Sequence, residues 1–77
     1  MVRIEFKHLD DTHCAFIHFI KLKRQFEIDS KSQAIYETTK EGMIYYNFGF
    51  LYQLMIENDC NEENLIRIEQ FYYKYII

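Results

Sequence analysis

Residues 33–48, QAIYETTKEGMIYYNF, determine whether the middle of the chain is an antiparallel sheet or a helix. Two apolar and aromatic runs flank TKEG, and Gly42 suits the left-handed position that ends a type I turn with a bulge. The competing interpretation is a helix that begins at Ser30, with Gln33 completing a capping box, and ends at Gly42. Residues 37–42 are all polar or glycine and would leave that helix a poor apolar face. The stretch therefore predicts a β-hairpin.

The residues before this hairpin also favour strands. Residues 2–7 alternate apolar and charged side chains, which predicts a half-buried strand, and residues 9–12 form a polar turn. Residues 13–29 are ambiguous, because a helix capped by Asp11 is an alternative to a strand. β-branched and aromatic residues dominate this segment and its alternation is long, so we expect a strand.

The residues after the hairpin predict two helices, over 47–58 and 61–77. Asn61 or Asp59 can cap the second helix. The expected fold is α+β, a small antiparallel sheet of three or four strands followed by two C-terminal helices, in one domain that covers residues 1–77. A βαββαα order and an all-α arrangement of four short helices are the alternatives.

Composition excludes several classes of function and indicates an origin. The net charge of the 77 residues is -3, which gives no strong basic field and makes nucleic acid an unfavoured partner. No apolar run is long enough to span a membrane, and no signal peptide is present, so we expect a soluble cytoplasmic protein. Two distant cysteines, Cys14 and Cys60, favour reduced thiols. Residues with AT-rich codons, such as Ile, Lys, Asn, Phe and Tyr, indicate a low-GC bacterium, a plasmid or a phage, in which case the compartment is the host cytoplasm.

The two predicted helices carry more apolar surface than one small sheet can cover. On a helical wheel, apolar residues occupy roughly 240° of each helix, where a surface helix needs a stripe of little over 100°. The surplus predicts a protein partner or a homo-oligomer, and tyrosine is enriched at such interfaces. The expected partner-binding residues are Phe71, Tyr72, Tyr73, Tyr75, Tyr52 and Ile56. Alternatively, the tyrosines border the core of a monomer with their hydroxyls outward.

Residues 7–18, KHLDDTHCAFIH, concentrate the side chains that could bind a metal. The candidate ligands are His8, His13, Cys14 and His18. Their spacing matches no standard zinc signature, and Cys60 has no CxxC companion. On a strand, Cys14 and His18 would share one face with Phe16 between them. The simpler interpretation is ordinary folding, with no metal and no cofactor.

No pattern in the chain indicates catalysis. The acid pairs at residues 10–11 and 62–63 fall at a turn and at a helix start, where carboxylates have structural reasons to lie. A Cys14 nucleophile is disfavoured because adjacent strand residues point apart, which separates it from His13. The two glycines form no phosphate-binding loop. We therefore expect a protein that is not an enzyme.

These observations lead to one functional expectation and one alternative. The expectation is a small non-catalytic protein–protein interaction module, such as an inhibitor, anti-defence factor or regulatory adaptor. It would occlude or bridge a larger partner, or associate with itself. The alternative is a small nucleic-acid-binding regulator that uses one strand face bearing Lys21, Lys23 and Arg24 beside aromatic residues.

Overall fold

The computed structural model describes residues 1–77 and contains a five-stranded antiparallel sheet followed by two helices. The strands pair in sequence order, as a meander. The elements are β1 (Val2–Leu9), β2 (Thr12–Phe19), β3 (Arg24–Asp29), β4 (Ala34–Thr39), β5 (Gly42–Tyr46), α1 (Phe48–Glu57) and α2 (Glu62–Tyr75). The predicted α+β class is confirmed, and the predicted count of three or four strands is too low by one or two. The βαββαα and all-α alternatives are wrong.

The additional strand comes from residues 13–29, which are two strands where the sequence predicted one. A turn at residues 20–23 separates β2 from β3. Lys23 closes this turn with a left-handed backbone, at φ 55°. Glycine or asparagine is the usual residue in that conformation. Because Ile20 and Leu22 also continue the period-two alternation, the residue pattern gives no sign of the turn.

The predicted hairpin at residues 33–48 is present as β4 and β5. Thr39 pairs with Gly42 across a two-residue turn. Gly42 has a φ of 121°, a conformation that L side chains rarely adopt, which explains glycine at this position. The positive φ predicted at Gly42 is therefore confirmed.

Both helices lie on one face of the sheet and bury a single core beneath them. The buried apolar residues are Val2, Ala15, Ile17, Phe19, Phe26, Ile28 and Ile35 from the strands and Leu51, Met55, Ile68 and Phe71 from the helices. Phe48 of α1 stacks on Tyr72 of α2 at 4.1 Å between ring centroids. Phe71 of α2 contacts Phe6 of β1 at 5.5 Å. The opposite face of the sheet, which we call the open face, is covered by no helix.

Asparagine side chains begin both helices. Asn47 Oδ1 accepts a hydrogen bond from the Phe50 N–H of α1, and Asn61 Oδ1 accepts one from the Asn64 N–H of α2, each at 2.8 Å. The sequence allowed Asp59 or Asn61 as the N-cap of α2, and the structure shows that Asn61 is the cap. Neither helix has the length and apolarity needed to cross a bilayer.

One carboxylate is buried on the face of the sheet that the helices cover. Glu37 of β4 is 7% exposed and accepts hydrogen bonds from Arg24 Nε at 2.8 Å and from Arg24 Nη2 at 2.9 Å. The hydroxyl of Tyr46 donates to the same carboxylate at 2.9 Å. Hydrogen bonding to Arg24 holds the pKa of Glu37 below its usual value. The three side chains therefore connect β3, β4 and β5.

Replacing Arg24 by methionine is expected to lower the free energy of unfolding by about 2 kcal/mol, because Glu37 is left buried without its charge partner. The double variant Arg24→Met/Glu37→Leu is expected to recover most of this loss. Urea denaturation near pH 7 measures both values. Arg3→Met, at a side chain that is 62% exposed, is the control and should change the free energy little. A double variant no more stable than Arg24→Met would contradict this account.

Candidate interaction surface

The two edge strands of the sheet differ in charge. β1 carries Arg3, Glu5 and Lys7 on the open face, alternating with the apolar residues that it turns toward the helices. Charged side chains on an edge strand disfavour pairing with another strand. β5, the other edge, has no charged residue and no proline, and its register with β4 is continuous from Tyr46 to Gly42. The β5 edge therefore lacks these common features that block strand addition.

β5 also exposes large apolar side chains on both faces of the sheet. Met43 is 48% exposed, Ile44 is 44% exposed and Tyr45 is 63% exposed. Met43 and Tyr45 lie on the open face, where the ring of Tyr45 is 6.1 Å from that of Tyr36 in β4. Ile44 lies on the opposite side, in register with Glu37. An exposed apolar edge of this kind is a template for pairing with another strand.

α1 extends the exposed apolar surface beyond the strand. Phe50 is 44% exposed, and its ring stacks on that of Tyr46 at 4.7 Å. The stack places an apolar helix side chain directly beside the helix-facing side of β5. We call Met43, Ile44, Tyr45 and Phe50 together the β5 edge surface.

The six partner-binding residues predicted from the sequence differ in exposure, and Tyr52, Tyr72 and Tyr73 are connected through the ring of Phe48. Phe71 is only 8% exposed and belongs to the core. Tyr72, Tyr75 and Tyr52 are half-buried, and each has an aromatic neighbour within the chain. Tyr73 remains 58% exposed and Ile56 46% exposed.

The β5 edge surface is not among the sites that the sequence predicts. From the sequence, the run from Met43 to Tyr46 is one arm of a hairpin. The sequence does contain an indication of this surface. Residues 43–46 are four consecutive large uncharged residues, and they lack the apolar–polar alternation of a strand with one solvent-exposed face. The sequence alone does not give the order of the strands in the sheet, and it is this order that places residues 43–46 in an edge strand.

The sheet separates the four candidate metal ligands. His8 and His13 lie on the helix-facing side, with their rings stacked at 4.0 Å, and His13 stacks in turn on Tyr75 at 4.1 Å. Cys14 and His18 lie on the open face, as predicted for a strand. The four side chains therefore cannot surround one ion.

Cys14 has different neighbours on the open face. Its thiol and the carboxylates of Glu27 and Asp29 have donor atoms within 4.8 Å of one another. Partial burial, and then the charges of Asp29 and Glu27, raise the pKa of the Cys14 thiol. The neutral thiol is a poor nucleophile. Farther along β2, His18 Nε2 lies 3.0 Å from Glu5 Oε1, outside hydrogen-bonding alignment.

The three basic residues of the nucleic-acid alternative do not share a strand face. Lys21 and Lys23 lie exposed in the turn at residues 20–23. Arg24 begins β3 and points to the helix-covered side, where it binds Glu37. The predicted basic strand face is wrong because the turn interrupts the segment that was expected to form it.

The histidine stack predicts a pH-dependent stability. Partial burial, and then the nearby His8 and Lys74, lower the pKa of His13 from its ordinary value of 6.5. The unfolded chain then binds a proton more readily than the folded chain, so this contribution to stability is complete above about pH 6.5 and decreases as the pH falls. The midpoint of thermal unfolding is expected to drop between about pH 7.5 and pH 5.5. His13→Phe keeps an aromatic ring against Tyr75 and should show a smaller drop; an equal drop would contradict the assignment.

Comparison of the chain with protein-family models, with curated proteins and with solved structures gives no match. No relative therefore suggests a ligand, a partner or a set of functional residues for this fold. The function has to be inferred from the exposed groups of the chain itself.

Proposed function

We propose that the protein is a small non-catalytic protein–protein interaction module that binds an extended strand of a protein along β5. The observation that carries this proposal is the uncharged edge strand Gly42–Tyr46, which exposes Met43, Ile44 and Tyr45. Strand addition of this kind takes its affinity from main-chain hydrogen bonds and its specificity from side chains on the two faces. A chain that acts in this way can serve as an inhibitor, an anti-defence factor or a regulatory adaptor.

The geometry around β5 supports strand addition in two ways. Main-chain groups on the outer side of an edge strand have no partner within the sheet and can bond to an incoming strand. The side chains of such a strand would meet Met43 and Tyr45 on the open face, and Ile44 with Phe50 on the other face. The ladder with β4 sets the register in which β5 presents these groups, and the hydrogen bond from Tyr46 to Glu37 adds a side-chain contact.

The surface depressions of the chain favour an interaction role over catalysis. The three depressions have volumes of about 250–260 Å³, below the 300 Å³ or more of typical ligand sites. The buried carboxylate of Glu37 is engaged with Arg24 and Tyr46. The thiol of Cys14 has a raised pKa, which disfavours its use as a nucleophile at neutral pH.

A capture experiment with two tyrosine variants tests the proposal. Tyr45 and Tyr73 are similarly exposed, at 63% and 58%, but lie on β5 and on α2. We expect Tyr45→Lys to reduce capture of the bound protein at least tenfold, because a charge on an edge strand opposes strand pairing. Tyr73→Lys should capture as well as the wild type.

The measurement uses immobilised chain and a cell extract supplemented with a differently tagged copy of the same chain. Mass spectrometry quantifies each captured protein for the wild type and for both variants. Circular dichroism establishes that the variants are folded. Capture that survives Tyr45→Lys, or that is lost equally in Tyr73→Lys, would refute binding along β5.

A further inference from the structure

Resting on the proposed function, we infer that the strand bound along β5 is β5 of a second copy of this chain. The two strands pair antiparallel about a twofold axis, and the two five-stranded sheets join into one of ten strands. Such an interface is isologous, so the same surface is used by both copies and the assembly closes at two.

The register of this pairing follows from the length and composition of β5. If the twofold axis passes beside Ile44, all five residues from Gly42 to Tyr46 are paired. Ile44 then faces Ile44 of the second copy, Met43 faces Tyr45, and Gly42 faces Tyr46. No charged residue takes part, and facing pairs of aromatic and β-branched residues stabilise a sheet.

Gly42 leaves room at both ends of this pairing. A Cβ atom placed on Gly42 would meet no other atom within 4 Å, so the space beside this residue is open. Tyr46 of the second copy lies opposite this position, with its ring stacked on Phe50 and its hydroxyl bonded to Glu37 of its own chain. The glycine therefore adds no steric obstacle to the second strand.

The other edge of the sheet differs in the residues that would face one another. A twofold pairing of β1 about Glu5 would place Glu5 against Glu5 and Arg3 against Lys7, and facing residues of like charge destabilise an antiparallel pair. A twofold pairing about Ile4 would instead face Arg3 with Glu5. Charged side chains take part in both registers of β1, and charge on an edge strand disfavours strand addition, whereas β5 has no charged residue.

Cysteine crosslinking tests the register directly. In a Cys14→Ser/Cys60→Ser background, Ile44→Cys is expected to give a disulfide-linked dimer as the main product of mild oxidation. Facing residues in an antiparallel pair have Cα atoms about 4.5–5.5 Å apart, within the disulfide range. Met43→Cys is the matched control on the same strand. The two cysteines at position 43 would be offset by two residues along the strands, with Cα atoms about 8 Å apart. This variant should therefore crosslink at least tenfold less.

Sedimentation equilibrium gives an independent readout. We expect the wild-type chain and Tyr73→Lys to form dimers, and Tyr45→Lys to raise the dimer dissociation constant at least tenfold. A wild-type chain that is monomeric at about 100 µM, or Met43→Cys that crosslinks as readily as Ile44→Cys, would overturn the inference.

The capture experiment separates this inference from the proposed function. If the wild-type chain is a monomer and captures a foreign protein in a manner that depends on Tyr45, the twofold dimer is refuted and the interaction function stands. If it is a monomer and captures neither a foreign protein nor its tagged copy, both are refuted.

Discussion

The ion pair of the buried Glu37 with Arg24 is the one polar contact that joins β3, β4 and β5 beneath the helices. A buried carboxylate is tolerated only where charge partners and hydrogen bonds replace the water that it has lost. Arg24 supplies two of these bonds from β3, and Tyr46 supplies a third from β5. The last strand is thus held by its ladder with β4 and by Tyr46, which bonds to Glu37 and packs against Phe26, while its outer edge stays accessible.

Burial decreases steadily across the second half of the sheet. β2 has three buried residues, β3 and β4 have two each, and β5 has none. β1, the other edge strand, has one buried residue, so burial falls toward both edges of the sheet, where a strand has a neighbour on one side only. Apolar residues of β5 therefore remain exposed, and their exposure follows from where the strand lies in the fold.

The features predicted correctly from the sequence are those encoded within a few residues. Gly42 marks the β4–β5 turn and Asn61 the start of α2, because each residue type suits one local backbone conformation. The turn at residues 20–23 was missed because Lys23 adopts a left-handed backbone without the usual glycine. The predicted sheet had too few strands, and Phe71 was predicted to be a surface residue. The edge position of β5 could not be deduced, because strand order is not a local property of the sequence.

The difference between the two edges bears on how far association along β5 could extend. A flat, uncharged edge strand left exposed is an aggregation hazard, and proteins normally protect such strands with charge, proline or a covering element. In a β5-paired dimer, both free edges of the ten-stranded sheet are β1 strands, which carry Arg3, Glu5 and Lys7. Charged side chains on an edge strand disfavour pairing with another strand. Pairing at β5 therefore removes the hazardous edge without creating another, so the distribution of charge between β1 and β5 is suited to an assembly of two chains and not to a fibre.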